Sequence, residues 1–256
     1  MMKSIKIDLP SDLKNIEIHP LADLHIGDMC CDYKAILSEL EYIKNTPNCY
    51  CVLDGDLMDT AIASSIGDTY ASTHNPMEQL QECVNLFEPI KDKIIAVVGG
   101  NHENRIYKQD GIDITYLMCQ QLGIADRYSP TTALVFIRFG DDKKHRKVCY
   151  TMYMTHGAGG GKKEGGKINR LADLANIVDA DIYLMAHVHQ PAAFRNSFYR
   201  ANPENSSATR TEHLFVNTAA WLKYGGYGDK QGYKPASTIN PIIHLDGHGK
   251  RMRAEI

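Results

Sequence analysis

The chain has 256 residues, 43% of them hydrophobic, and a formal net charge of −3. That size and composition suit a globular fold with a full core, and residues 1–256 read as one domain. The weak negative charge argues against a general polyanion-binding surface and leaves room for a local basic patch, and no apolar run is long enough to span a bilayer. The seven cysteines lack zinc-finger spacing and read as reduced thiols; the N-terminus lacks a signal-peptide core, so a cytoplasmic location is expected.

In chain order, Met1–Lys6 alternates like a strand and Asn15–Leu21 reads as a second one. Tyr33–Lys44 has helical spacing, and Tyr50–Leu53 is a short buried strand. Met77–Ile90 reads as a helix with Asn75 as N-cap and Pro76 in its first turn. Ile94–Val98 is a strand broken by Gly99-Gly100, and Ile112–Leu122 is a helix stopped by Gly123. Thr132–Phe139 and Val148–Thr155 flank Gly140–Lys144 as a hairpin. Ile168–Val178 follows as a helix and Ile182–Met185 as a strand. Asn196–Thr211 lacks periodicity and reads as an exposed loop. Leu214–Thr218, Ile242–Leu245 and Met252–Ile256 close the chain as strands. A βαβ-like first half and a hairpin-rich second half imply packed sheets with helices outside.

Five polar blocks follow apolar stretches in a fixed order: Asp23-Leu24-His25, Gly55-Asp56-Leu57-Met58-Asp59, Gly100-Asn101-His102-Glu103, Thr155-His156-Gly157 and Ala186-His187-Val188-His189. They deliver Asp, Asn and His side chains at strand ends, a donor set suited to two neighbouring divalent ions such as Mn, Fe or Zn. Such a pair activates water and polarises phosphoryl oxygens. Asp56 has two oxygens with which to bridge two ions. His102 is left beside Asn101 as a general acid, Asp59 can hold its tautomer, and Arg105 can bind a phosphate oxygen.

These blocks resemble the calcineurin-like metallophosphoesterase family, whose pattern is D-x-H, G-D-x-x-D, G-N-H-[DE], a lone His and G-H-x-H. The resemblance runs from Asp23 to His189. It implies an α/β fold, a four-layer α/β/β/α sandwich of two mixed β-sheets flanked by helices. It assigns one ion to Asp23, His25, Asp56 and His189, and the other to Asp56, Asn101, His156 and His187. The ions are expected to be Mn, with Fe, Zn or Ni as alternatives. His102 takes the role of acid and Asp59 that of its orienting partner. One departure is Ala186, where the family has Gly.

The leading expectation is a phosphodiesterase for nucleic acid or nucleotide esters. Two loops support it: Gly159–Lys167, a Gly- and Lys-rich segment after His156, and the aromatic Gly-rich stretch Trp221–Gly228. Each also reads as an ordinary loop or as core. The rivals are a small-molecule phosphomonoesterase and a non-catalytic metal-binding scaffold. Protein phosphatases of the family carry Arg after the second block, where this chain has Thr60. His74, in the Ala61–Asn75 insertion, reads as surface loop, and the other histidines outside the blocks as ordinary. A homodimer is compatible with the sequence; no membrane partner is expected.

Overall fold

In the computed structural model the described residues are 2–62, 65, 72–141, 145–161, 163–230, 232–235 and 237–256. The first half runs β1 (Lys3–Asp8), β2 (Asn15–Leu21), α1 (Tyr33–Asn45), β3 (Cys49–Asp54), α2 (Pro76–Phe87), β4 (Ile94–Val98), α3 (Glu103–Asp110), α4 (Ile114–Gln121) and β5 (Tyr128–Ser129). The second adds β6 (Thr132–Phe139), β7 (Val148–Thr155), α5 (Glu164–Asp173), β8 (Ile182–Met185), β9 (Ala192–Asn202), β10 (Ser207–Asn217), α6 (Gly226–Lys230), β11 (Ile242–Asp246) and β12 (Met252–Glu255).

The strands form two mixed sheets of six, in the orders β1-β6-β7-β8-β10-β9 and β12-β11-β2-β3-β4-β5. Three apolar clusters account for the layering. Ile16, Ile18 and Val98 of one sheet meet Val135, Met152 and Leu184 of the other between the sheets. Ile36, Leu40 and Ile43 of α1 and Leu80, Cys83 and Phe87 of α2 cover the outer face of β3 and β4 through Cys49, Cys51, Leu53 and Val97. Leu171 of α5 covers Tyr153, Tyr183 and Phe215 on the outer face of the first sheet. The result is the α/β/β/α sandwich. No helix among the described residues is long and apolar enough to cross a membrane.

Local signals explain where helices begin. Asn75 caps α2 in a full capping box with Glu78, and Pro76 occupies its first turn. α2 ends at Phe87, short of Ile90, and a 3₁₀ segment carrying Pro89 continues to Lys93. α4 starts at Ile114 rather than Ile112, because Asp113 is its N-cap and accepts from the Tyr116 amide at 2.9 Å.

Two further sequence expectations are corrected, and one element had none. Asn196–Thr211 is not a loop: β9 and β10 pair antiparallel from Ala192↔Asn217 to Asn202↔Ser207. Towards its tip this arm is exposed on both faces, so no apolar alternation marks it. α3 went unread because its inward positions are Glu103 and Ile106, a carboxylate and one aliphatic. α5 begins at Glu164 instead of Ile168, so Gly165, Gly166 and Lys167 are helical. The tip residues 142–144, Lys162 and residues 63, 64 and 66–71 of the Ala61–Asn75 insertion lie outside the described residues.

Candidate metal centre

Parallel strands put their carboxyl ends on one edge, and every sequence-predicted donor follows such an end. β2, β3 and β4 are parallel neighbours in one sheet. They lead to Asp23 and His25, to Asp56 and Asp59, and to Asn101 and His102. β7 and β8 are parallel in the other sheet and lead to His156 and to His187 and His189. Backbone pairing continues past β2 and β3: the Asp23 amide donates to Gly55 at 3.0 Å, His25 to the Asp56 carbonyl at 3.0 Å and Asp59 to Ile26 at 2.9 Å. The donors are therefore fixed by main chain as well as by packing.

Backbone strain concentrates here. Asp23, His25, Asp56, Thr60, His187 and His189 all have positive φ, between 42° and 69°. Left-handed backbone costs about 1–3 kcal/mol for a non-glycine residue and gathers at functional sites. Ala186 is not among these residues, so the alanine in the family's glycine position carries no such strain. Gly55 and Gly100 are required by space. A Cβ on Gly55 would stand 2.6 Å from the Gly100 Cα, and one on Gly100 would stand 2.1 Å from the Asp56 amide nitrogen.

Two donor groups result. Asp23, His25 and His189 bring donor atoms within 4.8 Å of one another, and so do Asp56, His156 and His187. His25, Asp56 and His102 form a third, overlapping group, which joins the first two. Oδ1 of Asp23 lies 3.2 Å from Nε2 of His189. Nε2 of His156 lies 3.1 Å from both Oδ2 of Asp56 and Oδ1 of Asn101. The other ring nitrogen of His156 bonds the Asp54 carbonyl at 2.7 Å, which leaves Nε2 as its donor toward an ion. Asp23 uses Oδ2 to accept from the His187 amide at 3.0 Å.

The site fits divalent ions. The carboxylate of Asp23 is fully buried with its Oδ1 beside the His189 ring, and a buried charge of this kind costs free energy unless cations offset it. Burial pushes His25 down to about 3, so it stands as a neutral imidazole ready to ligate. Burial also opposes charge on Asp56, but His156 outweighs it and holds the carboxylate ionised, while Asp56 raises His156 against its own burial.

His102, a member of the third group, has a different set of partners. Its Nδ1 bonds both the carbonyl and Oδ1 of Asp59, at 2.9 and 3.1 Å, and its Nε2 stands 3.8 Å from Asp56. Burial disfavours its charged form, but the Asp59 hydrogen bond and Asp56 outweigh this and raise its pKa. Arg105 donates to the Asp59 carbonyl at 3.1 Å, so it braces the residue that holds His102.

Two residues without a sequence-assigned role hold the loops. Glu103, 3% exposed, accepts from the amides of Leu57 and Met58 through Oε1 and of Asp56 and Gly100 through Oε2, at 2.6–3.1 Å. Gln79 of α2 accepts from the Thr60 amide at 2.8 Å and donates to the His74 carbonyl at 2.8 Å. Glu103 stands inside the third block; Gln79 had no sequence signal at all. His74 itself is exposed.

The two loops are less free than their composition implies. Arg170 of α5 donates to the Gly159 and Gly160 carbonyls at 2.7 and 2.8 Å. Trp221 is 5% exposed and packs in the core beneath α1 and α2, so it is unavailable for stacking a base.

The chain belongs to the calcineurin-like phosphoesterase family, whose pattern it matches over residues 23–191. It is a metal-dependent phosphoesterase with Asp and His clusters able to hold divalent ions. Solved structures that resemble it include a conserved uncharacterized protein, a predicted phosphoesterase, from Streptococcus pneumoniae (16% identity, 94% of this chain and 90% of that one, TM-score 0.39). Others are GAP50, the anchor in the inner membrane complex of Plasmodium (11%, 94% and 84%, 0.48), and the phosphopantetheinyl hydrolase of Mycobacterium tuberculosis (12%, 87% and 99%, 0.34). No curated protein matches the chain.

Proposed function

We propose that this single domain is a cytoplasmic phosphodiesterase that uses two divalent ions, Mn foremost, to hydrolyse nucleic acid or nucleotide esters. The observation that carries the reading is the access to the donors. Asp23 and Asp56 are buried, yet Asn101 is exposed and the His189 and His102 side chains are 33% and 18% exposed. The donors thus form a floor open to solvent, which suits an ester flanked by chain on both sides. Lys163, exposed at the N-cap of α5 beyond His156, adds positive charge along the approach.

Asp23, His25, Asp56 and His189 would hold one ion, and Asp56, Asn101, His156 and His187 the other. Ions held there supply an activated water and neutralise phosphoryl charge. The protein's own groups do the rest. Asp59 fixes the His102 ring by its Nδ1 hydrogen, so Nε2 can deliver a proton to the departing alkoxide oxygen. The remaining N–H groups of Arg105 can meet a phosphate oxygen.

The test is Mn-loaded protein assayed side by side on an artificial diester, the matching monoester and single-stranded DNA. The reading expects the diester and DNA to be cut faster than the monoester. Preference for the monoester would replace it with the small-ester hydrolase, and no turnover on any of them with the scaffold.

A further inference from the structure

A second group of metal donors lies at the opposite end of β2 and β3 from the dinuclear centre. Glu17 is the third residue of β2 and pairs in register with Cys49, the first residue of β3. His19 follows two positions after Glu17, on the same face. One donor atom from each of Glu17, His19 and Cys49 lies within 4.8 Å of the other two. His19 is 2% exposed and Cys49 fully buried.

The ring of His19 is already set for ligation. Its Nδ1 hydrogen-bonds Glu39 of α1, while its Nε2 is buried with no hydrogen-bond partner. A carboxylate behind one ring nitrogen and a free second nitrogen is the usual arrangement of a metal-bound histidine. Nε2 stands 3.6 Å from Oε2 of Glu17, close to the roughly 3.4 Å that adjacent donors show around a tetrahedral ion with bonds of about 2.0–2.1 Å. The Glu17 carboxylate is itself oriented, since the Tyr42 hydroxyl donates to Oε2 at 3.0 Å. Lys93, a nearby cation, is engaged by the carbonyls of Ile43, Lys44 and Thr46.

We propose that Glu17, His19 and Cys49 form a second metal site, separate from the dinuclear centre, that binds one ion of the zinc class. Thiolate, imidazole and carboxylate together select zinc, cobalt or cadmium over magnesium or calcium. Binding involves no redox change: the Cys49 S–H bond gives its proton to solvent, and the sulfur electron pair forms the bond to the ion. The ion would pin β2 to β3 and, through Glu39, to α1.

The dinuclear centre contains no sulfur, which makes a thiolate signal diagnostic. Cobalt is titrated into the native chain, Asp56→Asn, Cys49→Ser, Glu39→Gln and Glu17→Gln, and the near-ultraviolet thiolate-to-cobalt absorption is followed. Expected is a band that saturates at one thiolate-bound ion per chain in the native protein and in Asp56→Asn, and that vanishes in Cys49→Ser. Glu39→Gln should weaken the affinity about 10–100-fold. If Cys49→Ser does not fold, Glu17→Gln decides, at a position that is partly exposed: cobalt affinity should fall at least about tenfold. No band, a band that persists in Cys49→Ser, a band lost in Asp56→Asn, or unchanged affinity in Glu17→Gln would each overturn the proposal. Those outcomes would leave His19 as a buried ring hydrogen-bonded to Glu39 beside Glu17.

Discussion

The tasks proposed for His102 and His156 differ by one hydrogen bond to each ring. The Nδ1 of His156 meets a main-chain carbonyl alone, whereas that of His102 meets both the main-chain carbonyl and the carboxylate of Asp59. A carboxylate favours the charged acid; a carbonyl merely fixes the tautomer. His102→Ala is therefore expected to keep its ions and lose about 10²–10⁴-fold in rate, with a smaller loss on esters whose leaving groups need no proton. Metal analysis alongside paired kinetics checks this, and an emptied site in the variant would reverse the assignment. Two further groups contribute to the pH response of the chelated protein. His25, held near 3 against its ordinary 6.5, refuses a proton that the unfolded chain accepts, so stability falls as pH drops from 6.5 toward 3. Asp54 has the opposite sign. Burial raises it from 3.8 to about 8, and neither carboxyl oxygen has a partner, so its protonated form is favoured and stability is lost as pH rises through that window. Asp54→Asn should shrink the fall in Tm between pH 5 and 8 by about 2–4 °C or more, the equivalent of about 1 kcal/mol in a protein of this size. Melts of both proteins in chelator measure it.

Loops, not strands, carry the functional groups, and Glu103 ties two of them together. Glu103→Gln keeps the volume but replaces one acceptor with an NH₂ group that must face amide hydrogens. It should destabilise the fold by about 1–3 kcal/mol and weaken Mn binding while leaving His102 in place; urea unfolding and Mn titration report the two effects. The elements that sequence reading located are those with strong local chemistry. α2 has its capping box, and β3 and β4 have unbroken apolar runs ahead of Gly55 and Gly99. The donors were legible for a related reason: a ligand needs its own residue type at its own offset. What escaped has no local signature. The β9–β10 arm is held by cross-strand pairing between polar faces, α3 by one buried carboxylate, and the links through Gln79 by contacts that exist only after folding. Cys49 and Glu17 belong to the same class, since only strand register brings them together.

At the scale of the molecule, the proposed ion ligands are shared between the sheets. Asp23, His25, Asp56 and Asn101 come from one and His156, His187 and His189 from the other, and Asp56 lies within donor reach of both sides. Asp56→Asn should drop the Mn content from two ions per chain to fewer than one, as removal of the shared charge affects both positions; elemental analysis after gel filtration measures this. Two ions held across that seam would also oppose its parting. Before the sheets could separate, the ligands would have to leave the metals, a step that would slow unfolding even where the equilibrium is little changed. The protein's lifetime would then follow its metal supply. A chain starved of ions would be cut by protease far sooner than a loaded one, so the amount of enzyme, as well as its activity, would follow the metal available to it.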